Sequence, residues 1–105
     1  MNEYIVITTT FDNKDEANKI IALLLKKRLV SCCQLLNITS SYHWNGSIEH
    51  TSEWLVQMKT RKDLYKDIEK EIIDNHSYDV PELIAYDIVD GYKGYFDWID
   101  KETNK

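Results

Sequence analysis

Glycine and proline are scarce in this chain, with three of the first and one of the second in 105 residues. That excludes a long flexible linker, a low-complexity tract and a collagen-like repeat. Cysteine is equally sparse, and the two present, Cys32 and Cys33, are adjacent. Neighbours on a strand point to opposite faces. They are therefore expected as reduced thiols, not as a disulfide, which fits a reducing compartment. No apolar run approaches the roughly 18 residues of a membrane span. Met1-Asn2-Glu3 lacks the basic-then-apolar layout of a signal peptide. A cytoplasmic location, with no membrane partner, is the expectation. Excess basic charge is lacking too, since the net charge is −5. A general nucleic-acid binder needs a basic footprint that releases counterions from phosphate, so no nucleic-acid partner is expected. There is no Gly-rich phosphate loop, no CxxC or HxxxH metal spacing, and no nucleophile, base and orienter set. Neither enzymatic activity nor a required cofactor is expected.

What is present is an ordinary globular composition, 43% hydrophobic and 30% charged, in a length that suits one domain over 1–105. Tyr4 to Thr10 is β-branched and apolar, which predicts a buried strand. Asn13 with Glu16 three residues later has the form of a capping box. Ala17, Ile20, Ile21, Leu24 and Leu25 follow at helical spacing, and Lys26, Lys27 and Arg28 suit the negative end of that helix. Leu29 to His43 is strand-like and runs into Trp44-Asn45-Gly46, where Asn-Gly signals a tight hairpin. On the return strand Ile48, His50, Ser52, Trp54, Val56 and Met58 share one face. Glu49, Thr51, Glu53, Leu55, Gln57 and Lys59 share the other. Thr60 with Asp63 predicts the start of a second helix, with Leu64, Ile68 and Ile72 stacked along it. Pro81 forces an extended approach to a last strand over Leu83 to Val89. Tyr95, Phe96, Trp98 and Ile99 predict a short C-terminal helix. The order β-α-β-β-α-β plus a helix is the split βαβ, ferredoxin-like α+β plan.

The two central strands, about 14 and 12 residues long, exceed the usual strand of about 5–6. At about 3.4 Å per residue the first spans about 45 Å. Helices of about 16 residues cover only about 24 Å of sheet. The surplus carries Ile38, Tyr42, Trp44 and Ile48. A ribbon bearing those side chains alone in water is marginal and exposes strand edges. Either a second subunit covers it or it folds back on its own domain, and the exposed edges favour the first.

Several segments now align with one known family. Thr9-Thr10-Phe11 resembles its Thr-Thr-Phe/Ala segment. Arg28-Leu29-Val30-Ser31-Cys32 resembles its Arg-Leu-Ala-Ala-Cys run. Tyr42-His43-Trp44-Asn45-Gly46-Ser47-Ile48-Glu49 resembles its Tyr-x-Trp-x-Gly-x-Ile/Leu-Glu hairpin. Lys59-Thr60 ends the third strand as in the family. His76-Ser77-Tyr78-Asp79-Val80-Pro81-Glu82 resembles its His-Pro-Tyr-x-x-Pro-Glu signature. In this order the segments resemble the CutA family, the divalent-cation-tolerance proteins, over nearly the whole chain. The resemblance implies a trimer of ferredoxin-like subunits, similar in architecture to the PII signalling proteins. It implies a non-enzymatic role in tolerance to divalent metals, copper among them. Ser77 stands where the family usually has proline, and His43 and Asn45 replace more usual aromatic and acidic residues. Thr9 stands where some members have a cysteine linked to copper, and a hydroxyl is a poor ligand for soft copper.

The resemblance carries site expectations with it. Glu53 and His76 match positions associated with metal, and imidazole plus carboxylate suits zinc or copper(II), weakly for two ligands. Without a metal, Glu53 is a solvated strand residue and His76 a helix C-cap favoured by the helix dipole. Lys59, Tyr78 and Glu82 are expected to line a polar cleft with His76, between subunits, for a small anion or metabolite by analogy with PII. Interface hydrogen bonds and surface salt bridges are the competing role for them. Tyr42 and Trp44 are expected at the trimer interface. A trimeric scaffold for a protein partner is a further alternative.

Overall fold

The computed structural model describes residues 3–104. Four strands form one sheet in the order β2-β3-β1-β4, every neighbouring pair antiparallel. They are β1 (Tyr4–Phe11), β2 (Cys32–Trp44), β3 (Ser47–Arg61) and β4 (Leu83–Asp87). Helices α1 (Lys14–Lys26) and α2 (Tyr65–Asn75) cross from β1 to β2 and from β3 to β4, and α3 (Lys93–Glu102) closes the chain. This is the expected split βαβ plan, and the order of the four strands and three α-helices matches the sequence reading.

Alternation along the strands sorts the core. Ile5, Ile7, Phe11, Val56 and Met58 are fully or nearly fully buried, against Ala17, Ile20 and Leu24 of α1 and Leu64, Ile68 and Ile72 of the α2 region. Cys33 lies on this packed side, where burial pushes its thiol up to about 12. Cys32, paired with Lys59 across the sheet, points the other way. Both cysteines are free, as expected from their adjacency.

Helix α1 starts as its sequence predicts, with Asn13 Oδ1 accepting from the Glu16 amide at 2.8 Å. The reciprocal half of the box is absent. Glu16 instead turns its carboxylate to Ser77, accepting from the amide at 2.8 Å and from Oγ at 2.9 Å. The helix ends with Arg28 in the left-handed region at φ 56, while the Leu29 amide reaches back to the Leu24 carbonyl. That is the glycine-type C-cap made by an arginine, at a cost of about 1–2 kcal/mol. The Arg28 guanidinium offsets it by binding the Glu102 carboxylate and carbonyl, tying α3 down.

Thr60 does not cap α2. Strand β3 continues to Arg61, a 3₁₀ turn fills Lys62–Leu64, and α2 begins at Tyr65. Thr60 is buried and donates to the Leu29 carbonyl at 2.6 Å. Satisfying that buried carbonyl outweighs a cap on an exposed helix end. The hairpin turn is as expected: Asn45 and Gly46 both have positive φ, 50 and 80, which matches a two-residue turn to the twist of its strands.

The molecule is long, 45 × 26 × 21 Å, with a radius of gyration of 14.5 Å against about 13 Å for a compact chain of this length. The elongation is the hairpin. From Ser41 to Ile48 every residue is exposed, including Trp44 at 56% and Ile48 at 63%. The sheet face opposite α1 and α2 is open over most of its length. Helix α3 covers its lower end, where Phe96 stacks on Tyr4 with centroids 4.4 Å apart and Ile99 is fully buried, and residues 78–82 cover Glu53 and Thr8. Above that, Leu36 (50%), Ile84 (43%) and Tyr86 (55%) stand in water.

Candidate functional site

The segment 76–82 packs where β1 ends and the hairpin leaves the body of the domain. Phe11, the last residue of β1, is fully buried, and the His76 ring stacks on it at 4.3 Å and 12°. His76 is the α2 C-cap, as expected, but its side chain is turned inward. Nε2 lies 2.8 Å from the Thr10 carbonyl and 3.3 Å from Thr9 Oγ1. A carbonyl only accepts, so Nε2 carries the hydrogen. Nδ1 accepts from the Tyr78 amide at 3.1 Å. Both ring nitrogens of the neutral imidazole are therefore engaged. Burial lowers the pKa below its ordinary 6.5, opposed by the Thr10 carbonyl and by the carboxylates of Glu16, Asp12 and Glu53.

The backbone bend that His76 fixes aims Tyr78 at the sheet. Its ring lies 5.0 Å from His76, tilted 45°. Its hydroxyl donates to Glu53 Oε2 at 2.7 Å. Glu53 is only 8% exposed, so it is not the solvated strand residue its alternating position allows. Burial and the Glu53 bond together raise the Tyr78 pKa. The hydroxyl therefore stays protonated and keeps donating. Tyr78→Phe leaves a buried carboxylate without its donor, so about 1.5–3 kcal/mol of stability should be lost. Chemical denaturation reads this directly, and an unchanged midpoint would show that water replaces the hydroxyl.

Beside this pair a groove of about 880 Å³ runs along the hairpin. Tyr42 and Trp44 form its hairpin wall, and the 77–82 loop forms the other. Among the described residues, five carboxylates line it, from Asp12, Glu49, Glu53, Asp79 and Glu82, and no Lys, Arg or His does. Glu82 is steadied by Thr8 Oγ1 at 3.3 Å.

Of the residues expected to share a cleft, Tyr78 and Glu82 line the groove and His76 lies behind Tyr78. Lys59 does not join them. It sits six residues from Glu53 on the same strand, about 20 Å away, bonded to Gln34. The face assignment of Lys59 was legible from alternation, but distance along the strand removes it. Asp12, Glu49 and Asp79 were not singled out in the sequence. The signal for Glu49 was present, since it shares a face with Glu53 and pairs with Tyr42. Nothing in the sequence placed Asp12 and Asp79 opposite it.

Metal ligation is not preset at Glu53 and His76. The carboxylate holds Tyr78, and the imidazole has no spare lone pair. Among the described residues, no group of three or more His, Cys, Asp or Glu is arranged to hold a metal ion. Also among them, no helix is long and apolar enough to cross a membrane.

The four-stranded antiparallel sheet, the overlong hairpin and the 76–82 segment seated at its base define a small ferredoxin-like α+β protein. The profile of the CutA1 divalent ion tolerance protein family matches residues 5–102, and the chain belongs to that family. It is 38% identical over 101 residues to the divalent-cation tolerance protein CutA of Pyrococcus horikoshii, covering 96% of this chain and 99% of that protein. It is similar to the crystal structure of the stable protein CutA1 from the psychrotrophic bacterium Shewanella sp. SIB1, with TM-score 0.95 and 32% identity over 99% of this chain and 98% of that one. The crystal structure of CutA1 from Oryza sativa gives TM-score 0.94 and 30% identity over 99% and 96% of the two chains. The Pyrococcus horikoshii relative carries divalent-cation tolerance in its name.

Proposed function

We propose that this chain acts in divalent-cation tolerance as a cytoplasmic, non-enzymatic homotrimer that gathers cations weakly in its acidic groove. The observation that carries the reading is the groove itself, five carboxylates with no Lys, Arg or His among its described lining residues. Such a field concentrates positive ions and repels anions. It therefore supports a cation over the anionic metabolite that the PII analogy suggests. Glu53 becomes available to a cation when the Tyr78 hydroxyl rotates away, so binding is weak. For borderline cations the affinity follows the usual order, copper above zinc. The open sheet face with Leu36, Ile84 and Tyr86, and the bare hairpin with Trp44, support the trimer, because a single-layer face of this kind needs a cover.

Light scattering on purified tag-free protein should give about three times the 12.4 kDa chain mass. A hard cation reads the carboxylates selectively. Mn²⁺ should broaden the amide resonances of Tyr78 and Glu82, and Glu53→Gln should reduce that broadening. A monomer at micromolar concentration would overturn the assembly. Broadening indifferent to Glu53→Gln would overturn the groove as the cation site.

A further inference from the structure

His43 and His50 stand at the far end of the hairpin, outside the groove lining. Their placement follows from strand register. His43 pairs with Ile48, and the next pair on the same face is Ser41 with His50. The two histidines are thus diagonal neighbours across β2 and β3. Diagonal Cα atoms lie about 7–8 Å apart, with Cβ atoms closer, within reach of long or aromatic side chains. One metal with imidazole bonds of about 2.0–2.1 Å fits between two such rings.

This face continues the side that packs on α1 and α2 nearer the base, so it lies opposite the face bearing Tyr42 and Glu49. The helices do not extend to the tip, and both histidines are exposed there. A subunit covering the Tyr42 and Trp44 wall leaves the histidine side open. The contrast with His76 is chemical. His76 has both nitrogens engaged, whereas His50 has one partner, Ser41 Oγ, at 2.7 Å from Nδ1. In the tautomer that donates the Nδ1 hydrogen to that hydroxyl, Nε2 presents its lone pair outward. A ring nitrogen pinned by a hydrogen bond is the usual support of a metal-bound imidazole.

We propose that His43 and His50 form a two-imidazole site for a borderline divalent cation, Cu²⁺ before Ni²⁺ and Zn²⁺, at the hairpin tip. Water completes the coordination. The site is distinct in ligands and in place from the carboxylate groove. Divalent-cation contact in this chain then has two independent stations, one for oxygen-seeking and one for nitrogen-seeking ions.

The test is a Cu²⁺ titration of the tag-free full chain by calorimetry, repeated on His43→Gln, His50→Gln, the double variant and His76→Gln. All three histidine rings are followed by NMR. Exposed tip substitutions leave the fold intact, which circular dichroism verifies. Copper should broaden the His43 and His50 ring signals together at the lowest ratio. Either tip substitution should weaken binding by about tenfold or more, the minimum expected when even a supporting residue of a metal site costs 10–100-fold. His76→Gln should leave it unchanged, and so should the Mn²⁺ effect at Tyr78 in both tip variants. If each tip substitution removes half the bound copper without changing the affinity of the rest, the histidines act singly and the site does not exist. Loss of copper binding in His76→Gln would likewise overturn it. Neither result bears on the groove, which Mn²⁺ and Glu53→Gln test separately.

Discussion

Replacing Phe11 by alanine should remove about 3–5 kcal/mol, the usual cost of deleting a buried aromatic ring. A domain of this size holds about 5–15 kcal/mol in all, so the variant should be near the edge of folding. The effect should not stop at the cavity. Phe11 is the platform on which the His76 ring stacks, and burial is the largest cause of the lowered His76 pKa. With the platform gone, the pKa should move back up towards 6.5.

The pH consequence follows from the sign of that shift. In the native chain His76 titrates below its unfolded value of about 6.5. The unfolded chain therefore binds the proton first as pH falls. The stability contributed by neutral His76 is complete above pH 6.5 and declines as pH drops from there towards the lower folded pKa. In Phe11→Ala this decline should shrink. Urea midpoints at pH 7.5 and 5.5, with an NMR titration of the ring, measure both parts. A loss under about 1 kcal/mol with an unmoved His76 titration would refute the platform role.

Trp44→Ala should break the proposed trimer without touching the fold of the subunit. Trp44 is 56% exposed in the single chain and lies beyond the reach of the helices. Aromatic anchors of this kind carry interface energy, with about 2 kcal/mol or more lost on truncation. At 2 kcal/mol each contact weakens roughly thirtyfold, and a trimer contains three. Light scattering over a dilution series should show subunits separating at concentrations where the parent stays assembled. Far-UV circular dichroism should be unchanged. If the variant keeps the parent's mass at every dilution, Trp44 is a solvent-exposed tip residue and the cover of the hairpin lies elsewhere.

Most of the architecture was legible because its signals are local. Spacing of 3–4 residues marked α1 and α2, a strand-like run marked β2, alternation marked β3, and Asn45-Gly46 marked the turn. The errors share one cause. Thr60 and Asp63 read as a helix start, but the Leu29 carbonyl, distant in sequence, claims the Thr60 hydroxyl. Glu16 read as half of a capping box, but Ser77 claims its carboxylate. A side chain with two possible partners is settled by which partner would otherwise be buried unpaired, and only the assembled chain shows that.

The same division holds for the site. Residue types and order alone determined the split βαβ fold, the surplus length of the hairpin and the free cysteines. Each depends on backbone propensity or on neighbours within a few positions. Tertiary structure decided that His76 faces inward with no lone pair to spare and that Tyr78 holds Glu53. It decided that Lys59 is remote and that Asp12 and Asp79 join Glu49 in one groove. Those outcomes depend on where a strand end, a helix end and a hairpin meet. That meeting is fixed by burying Phe11 and its neighbours, a force without direction along the chain.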